Sequence, residues 1–242
     1  MPTVNIRLYS FLARIAKAKE FSLTFDVMPT VKHLVEHLGI PHTEVDLIVA
    51  DGNLVPWTYI PQDGERISFY PLWHTLPVPH LQKPPPEIRF VVDVNLGKLA
   101  KLLRILGFDT LYQNTFSDEE ILAIGTQQNR IILTRDKLLL CHHKILYGHW
   151  VMAEHPYDQA NEVIERYNLY DIIQPLSRCL ICNTLLLPIA KSEIEQHLPP
   201  RVKTWCEEFF FCPTCDRIYW KGSHYEHMMQ WIQNLKKEKN KA

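Results

Sequence analysis

The sequence predicts an α/β protein with a parallel-sheet domain in the middle, a small α+β domain before it and a cysteine module after it. Three observations support this prediction. Short apolar runs alternate with helical patterns between residues 90 and 136, alternating strand patterns occupy the first 70 residues, and two Cys-x-x-Cys pairs lie near the end. A chain of 242 residues is long enough for up to three domains.

The middle domain is predicted from two apolar runs, 90–92 and 131–134, which are too short for helices and rich in β-branched residues. Uniformly apolar strands that alternate with helices are typical of β-α-β units with a parallel sheet. Ligands of such sheets bind at the carboxyl ends of the strands. The residues that follow the two runs are therefore the first place to look for a site.

Three acidic residues are predicted to meet at this edge. Asp93 and Asp136 each follow an apolar run, and Asp118 opens the helix between them. Carboxylates without a neighbouring Cys or His ligand suit Mg²⁺ or Mn²⁺. The alternative is purely structural, because Asp is common in turns and caps, and Ser117 with Glu120 forms a capping-box pattern around Asp118.

Basic residues accompany the acidic ones. The helical pattern over 97–106 has Lys98, Lys101 and Arg104 on its predicted outward side, and Arg135 precedes Asp136. We interpret the four cations as contacts for a phosphate backbone. An ordinary solvated helix face is the alternative.

Residues 1–74 form the predicted α+β domain. Strand patterns at 4–9 and 21–25 can pair as a hairpin, a helical pattern covers 30–38, and two more strands follow at 46–50 and 66–70. Five prolines between residues 74 and 87 then predict a semi-rigid linker over 75–87.

The cysteines give the strongest local signal. Two Cys-x-x-Cys knuckles supply four thiolates, the ligand set of a structural Zn²⁺ site. A redox pair would need only one knuckle, and Cys206 is expected to be packed rather than to bind metal. The predicted zinc ligands are Cys179, Cys182, Cys212 and Cys215.

Aromatic and basic residues alternate after the second knuckle. Tyr219, Trp220, Lys221 and His224 suit stacking on bases and pairing with phosphates, although a packed ribbon strand would explain them too. The zinc ribbon is predicted over 177–225, and a C-terminal helix with a basic tail over 226–242.

Charge and hydropathy limit the function classes and the cellular location that the sequence allows. The net charge of −1 excludes a general polycation, while residues 87–177 carry −3 and residues 178–242 carry +3. The sequence contains no apolar run of membrane-spanning length and no signal peptide, so no membrane association and a cytoplasmic location are expected.

The first domain resembles the β-grasp fold of ubiquitin-like proteins, and most of all the sulfur carriers. Those carriers act through a free C-terminal Gly-Gly, whereas here the last strand continues into Pro71-Leu72-Trp73. The resemblance therefore implies a docking or regulatory role with a protein partner rather than carrier chemistry, and simple structural packing is the alternative.

Residues from about 88 to 235 resemble the Mut-seven C-terminal ribonuclease family, a PIN-type domain (88–176) fused to a zinc ribbon. The matching stretches are 92–93, 96–109, 133–136, the two knuckles and 219–224. The resemblance implies Mg²⁺- or Mn²⁺-dependent RNA cleavage by Asp93, Asp118 and Asp136, with Glu119 as the rival of Asp118 and no fourth acid identified. A non-catalytic RNA-binding adaptor and a protein-interaction scaffold are the alternatives.

Overall fold

A computed structural model describes residues 1–72 and 85–239 of the chain. The protein divides into two compact units, each formed by two stretches of sequence. The first unit comprises Met1–Asn95 and Asn114–Met152, and the second comprises Leu96–Gln113 and Ala153–Ala242. The segment 88–176, predicted as one domain, contributes to both units. Most of the predicted proline-rich linker, residues 75–84, lies outside the described residues.

Helices and strands alternate along the described parts of the chain. The strands are β1 (Thr3–Leu8), β2 (Glu20–Thr24), β3 (Leu47–Ala50), β4 (Asn53–Leu54), β5 (Arg66–Tyr70), β6 (Arg89–Val92), β7 (Asp109–Leu111), β8 (Ile131–Thr134), β9 (Gly148–Trp150), β10 (Leu187–Ile189), β11 (Phe209–Phe211) and β12 (Ile218–Trp220). The helices are α1 (Phe11–Ile15), α2 (Val31–His37), α3 (Gly97–Ile105), α4 (Asp118–Gln127), α5 (Lys137–Leu140), α6 (Pro156–Arg166), α7 (Lys191–Ile194), α8 (Pro200–Trp205) and α9 (Ser223–Lys239). Among these described helices, none combines the length and apolarity that crossing a bilayer requires.

The β-grasp prediction for the first domain is confirmed. Its five strands have the order β2-β1-β5-β3-β4, with β1 antiparallel to β2 and parallel to β5. Alternate residues of β1 are buried, as expected for a sheet with one face on a core. Leu34 and Val35 of α2 pack in that core, and the Thr30 side chain caps the helix by accepting a hydrogen bond from the His33 N–H.

The predicted parallel sheet is also confirmed. In the first unit, β8 lies between β6 and β9 and is parallel to both. All four residues of β8 and three of the four in β6 are buried, which matches their unbroken apolar sequences. The carboxyl ends of these strands therefore meet at one edge, where residue 93 follows β6 and residues 135 and 136 follow β8.

Helix α4 packs closely on this sheet because Gly125 faces β8. A Cβ atom at residue 125 would lie 2.6 Å from two side-chain carbons of Ile132. The absence of a side chain at Gly125 thus allows α4 to approach the strand. Since α4 precedes β8 in the chain, its first residue lies near the carboxyl ends of the strands.

The second unit contains the amphipathic helix predicted over 97–106. Its observed span is Gly97–Ile105, and Leu99, Leu102 and Leu103 are buried as expected. Gly107 has a φ of 94° and ends the helix.

The cysteine module carries a three-stranded antiparallel sheet in the order β10-β11-β12. Before the second knuckle, α7 is followed by a 3-10 helix, Glu195–His197. Helix α8 begins at Pro200, which agrees with the preference of proline for the first position of a helix. Helix α9 extends to Lys239, so the start of the predicted basic tail is helical.

Candidate acidic metal site and zinc module

The three predicted acidic residues all belong to the first unit. Asp93 directly follows β6, is 5% exposed, and its N–H donates to the Leu133 carbonyl at 3.0 Å. Asp136 follows β8 and caps α5, with its Oδ1 accepting from the Leu138 N–H at 2.8 Å. Asp118 is the first residue of α4 and is exposed. The strand ends and the helix start thus supply one carboxylate each.

Thr134, the last residue of β8, links two of these acids. Its buried hydroxyl donates to Asp93 Oδ2 at 2.7 Å and accepts from the Asp136 N–H at 2.9 Å. Because one oxygen serves both bonds, the Asp93 carboxylate and the Asp136 backbone are held at a fixed separation. Thr134 was not predicted as a site residue, since a threonine in an apolar run resembles an ordinary β-branched strand residue.

The charges of the trio interact. Partial burial raises the pKa of Asp118, and the negative charges of Asp136, Asp93 and Glu119 raise it further. Neighbouring carboxylates oppose one another's ionisation, and a divalent cation among them would remove this opposition. The predicted capping box is also present, with Ser117 and Glu120 exchanging side-chain to backbone bonds, so the start of α4 is fixed independently of any ion.

The three aspartates do not form a compact ligand cluster. In the part of the chain that the structure describes, only the four cysteines bring three or more potential ligand atoms within 4.8 Å of one another, so the aspartates are more widely spaced. Mg²⁺ commonly keeps several water ligands and takes only one or two carboxylates directly. A Mg²⁺ or Mn²⁺ ion shared by Asp93, Asp118 and Asp136 would therefore need water molecules to complete its ligand shell.

Replacing Asp118 with asparagine is expected to stabilise the ion-free protein slightly at neutral pH, by less than about 1 kcal/mol because solvent screens exposed charges. The sign follows from the raised pKa, since ionising Asp118 costs more in the folded chain than in the unfolded chain. The gain should vanish below about pH 3.8, where the carboxyl is neutral in both states. Thermal unfolding with and without Mn²⁺ is the measurement.

The same variant should lose part of the stabilisation that Mn²⁺ gives the wild-type protein. Glu119→Gln is the matched control, since Glu119 is the neighbouring carboxylate that could bind the metal in place of Asp118. If Glu119→Gln weakened the Mn²⁺ effect and Asp118→Asn did not, Glu119 rather than Asp118 would be the ligand.

The four predicted zinc ligands come together in the second unit. The Sγ atoms of Cys179 and Cys215 are 3.5 Å apart, and those of Cys182 lie 3.3 Å from Cys212 and 3.8 Å from Cys215. A tetrahedral site with Zn–S bonds of about 2.3 Å has edges of about 3.8 Å. The six cysteines are all free, so these short distances are not disulfides. The sulfur cluster therefore fits one Zn²⁺.

The ionisation of the thiols supports the same interpretation. Burial opposes ionisation of Cys179, but hydrogen bonds from the Cys182 N–H and the Tyr219 hydroxyl outweigh it and lower the Cys179 pKa to about 6. Burial raises the pKa of Cys215 to about 12, and the adjacent sulfurs raise it too. Four thiolates this close need a cation, which Zn²⁺ would supply.

The expectation that Arg104 faces outward is wrong. The residue is 4% exposed, and its guanidinium donates to the carbonyls of Thr110 at 2.9 Å, Leu180 at 3.1 Å and Ile181 at 2.7 Å. Leu180 and Ile181 are the two central residues of the first knuckle. Burial lowers the Arg104 pKa while the charges of Cys179 and Cys182 oppose the shift, so Arg104 supports the zinc module rather than an RNA contact.

Asn183 is a second supporting residue that was not predicted. It follows the first knuckle with a φ of 68°, its Oδ1 accepts from the Thr110 N–H at 2.9 Å, and its Nδ2 donates to Asp109 Oδ1 at 2.8 Å. Asparagine tolerates this left-handed conformation better than most residues. An asparagine directly after a Cys-x-x-Cys pair was therefore the only feature of the sequence that could have indicated this supporting role of Asn183.

The other predicted RNA contacts differ in exposure. Lys98, Lys101 and Arg135 are exposed, as expected. Lys221 is exposed and forms an ion pair with Glu208. Tyr219 is half-buried, and its hydroxyl lies 3.1 Å from Cys179 Sγ and accepts from the Leu180 N–H, so it packs against the zinc knuckle.

Trp220 lines a groove in the second unit, whereas the side chain of His224 lies outside the described part. The groove has a volume of about 710 Å³, and its aromatic residues include Trp205, which is 54% exposed. Arg201 and His227 also line it, and no Asp or Glu is among its described lining residues. Its chemistry thus combines aromatic faces with a basic rim.

Comparisons with known proteins agree with this architecture. A family described as the Mut7-C RNAse domain matches residues 88–232, and one described as Mut7-C ubiquitin matches residues 1–76. A comparison with curated proteins gave no match.

Two solved structures resemble the N-terminal part. They are the small archaeal modifier protein 1 of H. volcanii, at 15% identity, and a putative molybdopterin converting factor subunit 1 from Pyrococcus furiosus, at 18%. Each alignment covers 29% of this chain and 98% of the other, with a TM-score of 0.26.

Proposed function

Because the chain belongs to the Mut7-C RNAse domain family, we propose that it is a metal-dependent ribonuclease of the PIN type. It would hydrolyse RNA phosphodiester bonds at the carboxylates of Asp93, Asp118 and Asp136. The observation that carries this proposal is the position of Asp93 and Asp136 at the ends of neighbouring parallel strands, near enough to Asp118 for their charges to raise its pKa.

Each acid has a distinct role in this proposal. Asp93 is buried and fixed by Thr134, so it supplies the most rigid ligand. Asp136 is fixed through its backbone and its cap of α5, while Asp118 is exposed and free to accept an ion or one of its water ligands. Bound Mg²⁺ or Mn²⁺ would lower the pKa of a water molecule and neutralise charge on the phosphate.

We propose RNA contacts within each unit. The exposed cations Lys98, Lys101 and Arg135 suit phosphate contacts. The groove around Trp205 and Trp220 suits an unpaired base, because aromatic faces stack on any base and no described carboxylate lines the groove to repel the backbone. These assignments give the zinc ribbon a part in RNA binding.

Zn²⁺ would be a structural cofactor held by the four cysteines, since all four ligand positions are filled by protein sulfur. The protein would act in the cytoplasm, where thiols remain reduced and available to the ion. The ubiquitin-like domain would contact a protein partner, and its exposed apolar residues Val27, Leu54 and Ile60 support this. We also propose that the chain has four functional segments: the ubiquitin-like domain 1–74, the PIN-type domain 88–176, the zinc ribbon 177–225 and the C-terminal segment 226–242.

The test is cleavage of mixed cellular RNA by the full-length protein with Mn²⁺, with Mg²⁺ or with neither ion added. A chelator is unsuitable because it would also remove Zn²⁺. We expect ion-dependent cleavage that slows more than about 100-fold in Asp93→Asn and in Asp136→Asn, since even the loss of a group that only supports a metal ligand costs about 10–100-fold. Asp26→Asn makes the same change at an exposed position of the β-grasp domain, and this variant should cleave RNA at the wild-type rate.

Three results would overturn the proposal. Undiminished cleavage by both purified variants would exclude these carboxylates. RNA binding without cleavage under any ion would indicate an RNA-binding adaptor. Weak binding that does not respond to salt would indicate a protein scaffold, because direct contacts with single-stranded RNA give a slope of about −0.7 per neutralised phosphate in a plot of log K against log salt.

A further inference from the structure

The β-grasp domain buries an acidic residue against the parallel sheet of the first unit. Glu44 lies in a 3-10 turn, His42–Glu44, and its side chain is fully buried. Its Oε1 accepts from the Trp150 N–H at 2.6 Å and lies 3.2 Å from His149 Nδ1. Nearby, His42 Nε2 donates to the Ile145 carbonyl at 2.9 Å. The turn therefore contacts both the edge strand β9 and the loop before it.

Trp150 extends this contact to the acidic edge. Its ring packs against the β-grasp core, and its indole N–H donates to the Arg135 carbonyl at 3.1 Å. The ammonium group of Lys137 lies 4.1 Å from the centre of the same ring. Arg135 and Lys137 are the two chain neighbours of Asp136, so Trp150 contacts the loop on both sides of that ligand.

One peptide group is fixed at both of its polar atoms by this arrangement. The carbonyl of Arg135 and the N–H of Asp136 belong to the same planar peptide unit. Trp150 holds the carbonyl, and the Thr134 hydroxyl holds the N–H. Rotation of this plane would break both hydrogen bonds, and it would also change the direction in which the Asp136 side chain leaves the backbone.

We propose that Trp150 is a positioning residue for Asp136 and that Glu44 of the β-grasp domain holds Trp150 in place. The domain then acts as a fixed support for the metal-binding loop, in addition to any contact with a partner. This inference rests on the proposed function, because it requires Asp136 to bind a divalent cation. A role limited to packing would affect stability and leave cation affinity unchanged.

The test is Trp150→Phe in the full-length protein, with Mn²⁺ affinity measured by electron paramagnetic resonance. Phenylalanine keeps an aromatic ring against the β-grasp core and removes the N–H that binds Arg135. We expect Mn²⁺ to bind about 10–100-fold more weakly, the usual effect of losing a group that orients a metal ligand. Trp57→Phe is the matched control, since Trp57 packs on the same core and should leave the affinity unchanged.

The outcomes separate this inference from the proposed function. If the wild-type protein binds no Mn²⁺ that depends on Asp93, the proposed function fails first. If the wild-type protein binds Mn²⁺ and Trp150→Phe binds it equally well, the positioning role is wrong. Should Trp150→Phe fold poorly, the indole N–H resonance of Trp150 in the wild-type protein gives a second measurement. Saturating Mg²⁺ should shift that resonance through the shared peptide group, and an unchanged resonance would overturn the inference.

Discussion

Replacing Cys212 with serine is expected to abolish zinc binding and to unfold the cysteine module. Cys212 is fully buried, and its sulfur lies 3.3 Å from that of Cys182. Structural Zn²⁺ sites contribute about 10–16 kcal/mol at neutral pH, which exceeds what a small module gains from its core. Zinc content per chain and near-ultraviolet circular dichroism measure the two effects.

Cys206→Ser is the matched control for this experiment. Cys206 is also a buried thiol of the module, but it packs with Ile194, Val202 and Phe209 and lies outside the sulfur cluster. The control should retain one Zn²⁺ per chain and the wild-type spectrum. A Cys212→Ser protein that kept both properties would show that the four sulfurs do not hold a structural ion.

Replacing Arg104 with methionine is expected to cost about 2–4 kcal/mol of folding free energy. Methionine fills a similar volume, but the carbonyls of Thr110, Leu180 and Ile181 lose their donor, and an unsatisfied buried acceptor costs about 1–3 kcal/mol. The loss of a positive charge beside Cys179 and Cys182 should also weaken zinc binding about 10–100-fold. Denaturant unfolding and competition with a zinc chelator measure these quantities.

Lys101→Met makes the equivalent change at an exposed position of the same helix. It should change stability by less than about 0.5 kcal/mol and leave zinc affinity intact, while weakening RNA binding. Arg104→Met should leave RNA affinity unchanged at temperatures where it is folded. The opposite pattern would restore Arg104 as an RNA contact.

Much of the fold could be predicted because local patterns and burial agree. The unbroken apolar runs of β6 and β8 predicted a parallel sheet covered on both faces, and the alternation in β1 predicted a sheet with one face on a core. The clustering of the four cysteines followed from spacing alone, because two paired knuckles are typical of a single metal site. The positions of Asp93 and Asp136 after the parallel strands also followed from the apolar runs, and their role as metal ligands stays a prediction.

The errors arose where a side chain's partner is distant in sequence. Arg104 was grouped with Lys98 because both follow a three-residue spacing, yet six residues rotate a helix by about 600°, which leaves the two about 120° apart. The buried guanidinium of Arg104 donates to carbonyls of the first knuckle, which lie 76 and 77 residues away in the sequence. Glu44 and Trp150 are separated by 106 residues, so no local pattern could connect them.

The packing of Trp150 against the β-grasp core has a consequence for how this protein can be divided and made. Trp150 packs on the β-grasp core, yet the ribosome adds it about 80 residues after the end of β5. A fragment ending at residue 72 would lack that cover and would expose Thr43 and Glu44, which are 3% and 1% exposed in the whole protein. Such a fragment should be less stable than free ubiquitin-like proteins of the same size, and during synthesis this domain would reach its final packing only after β9 emerges.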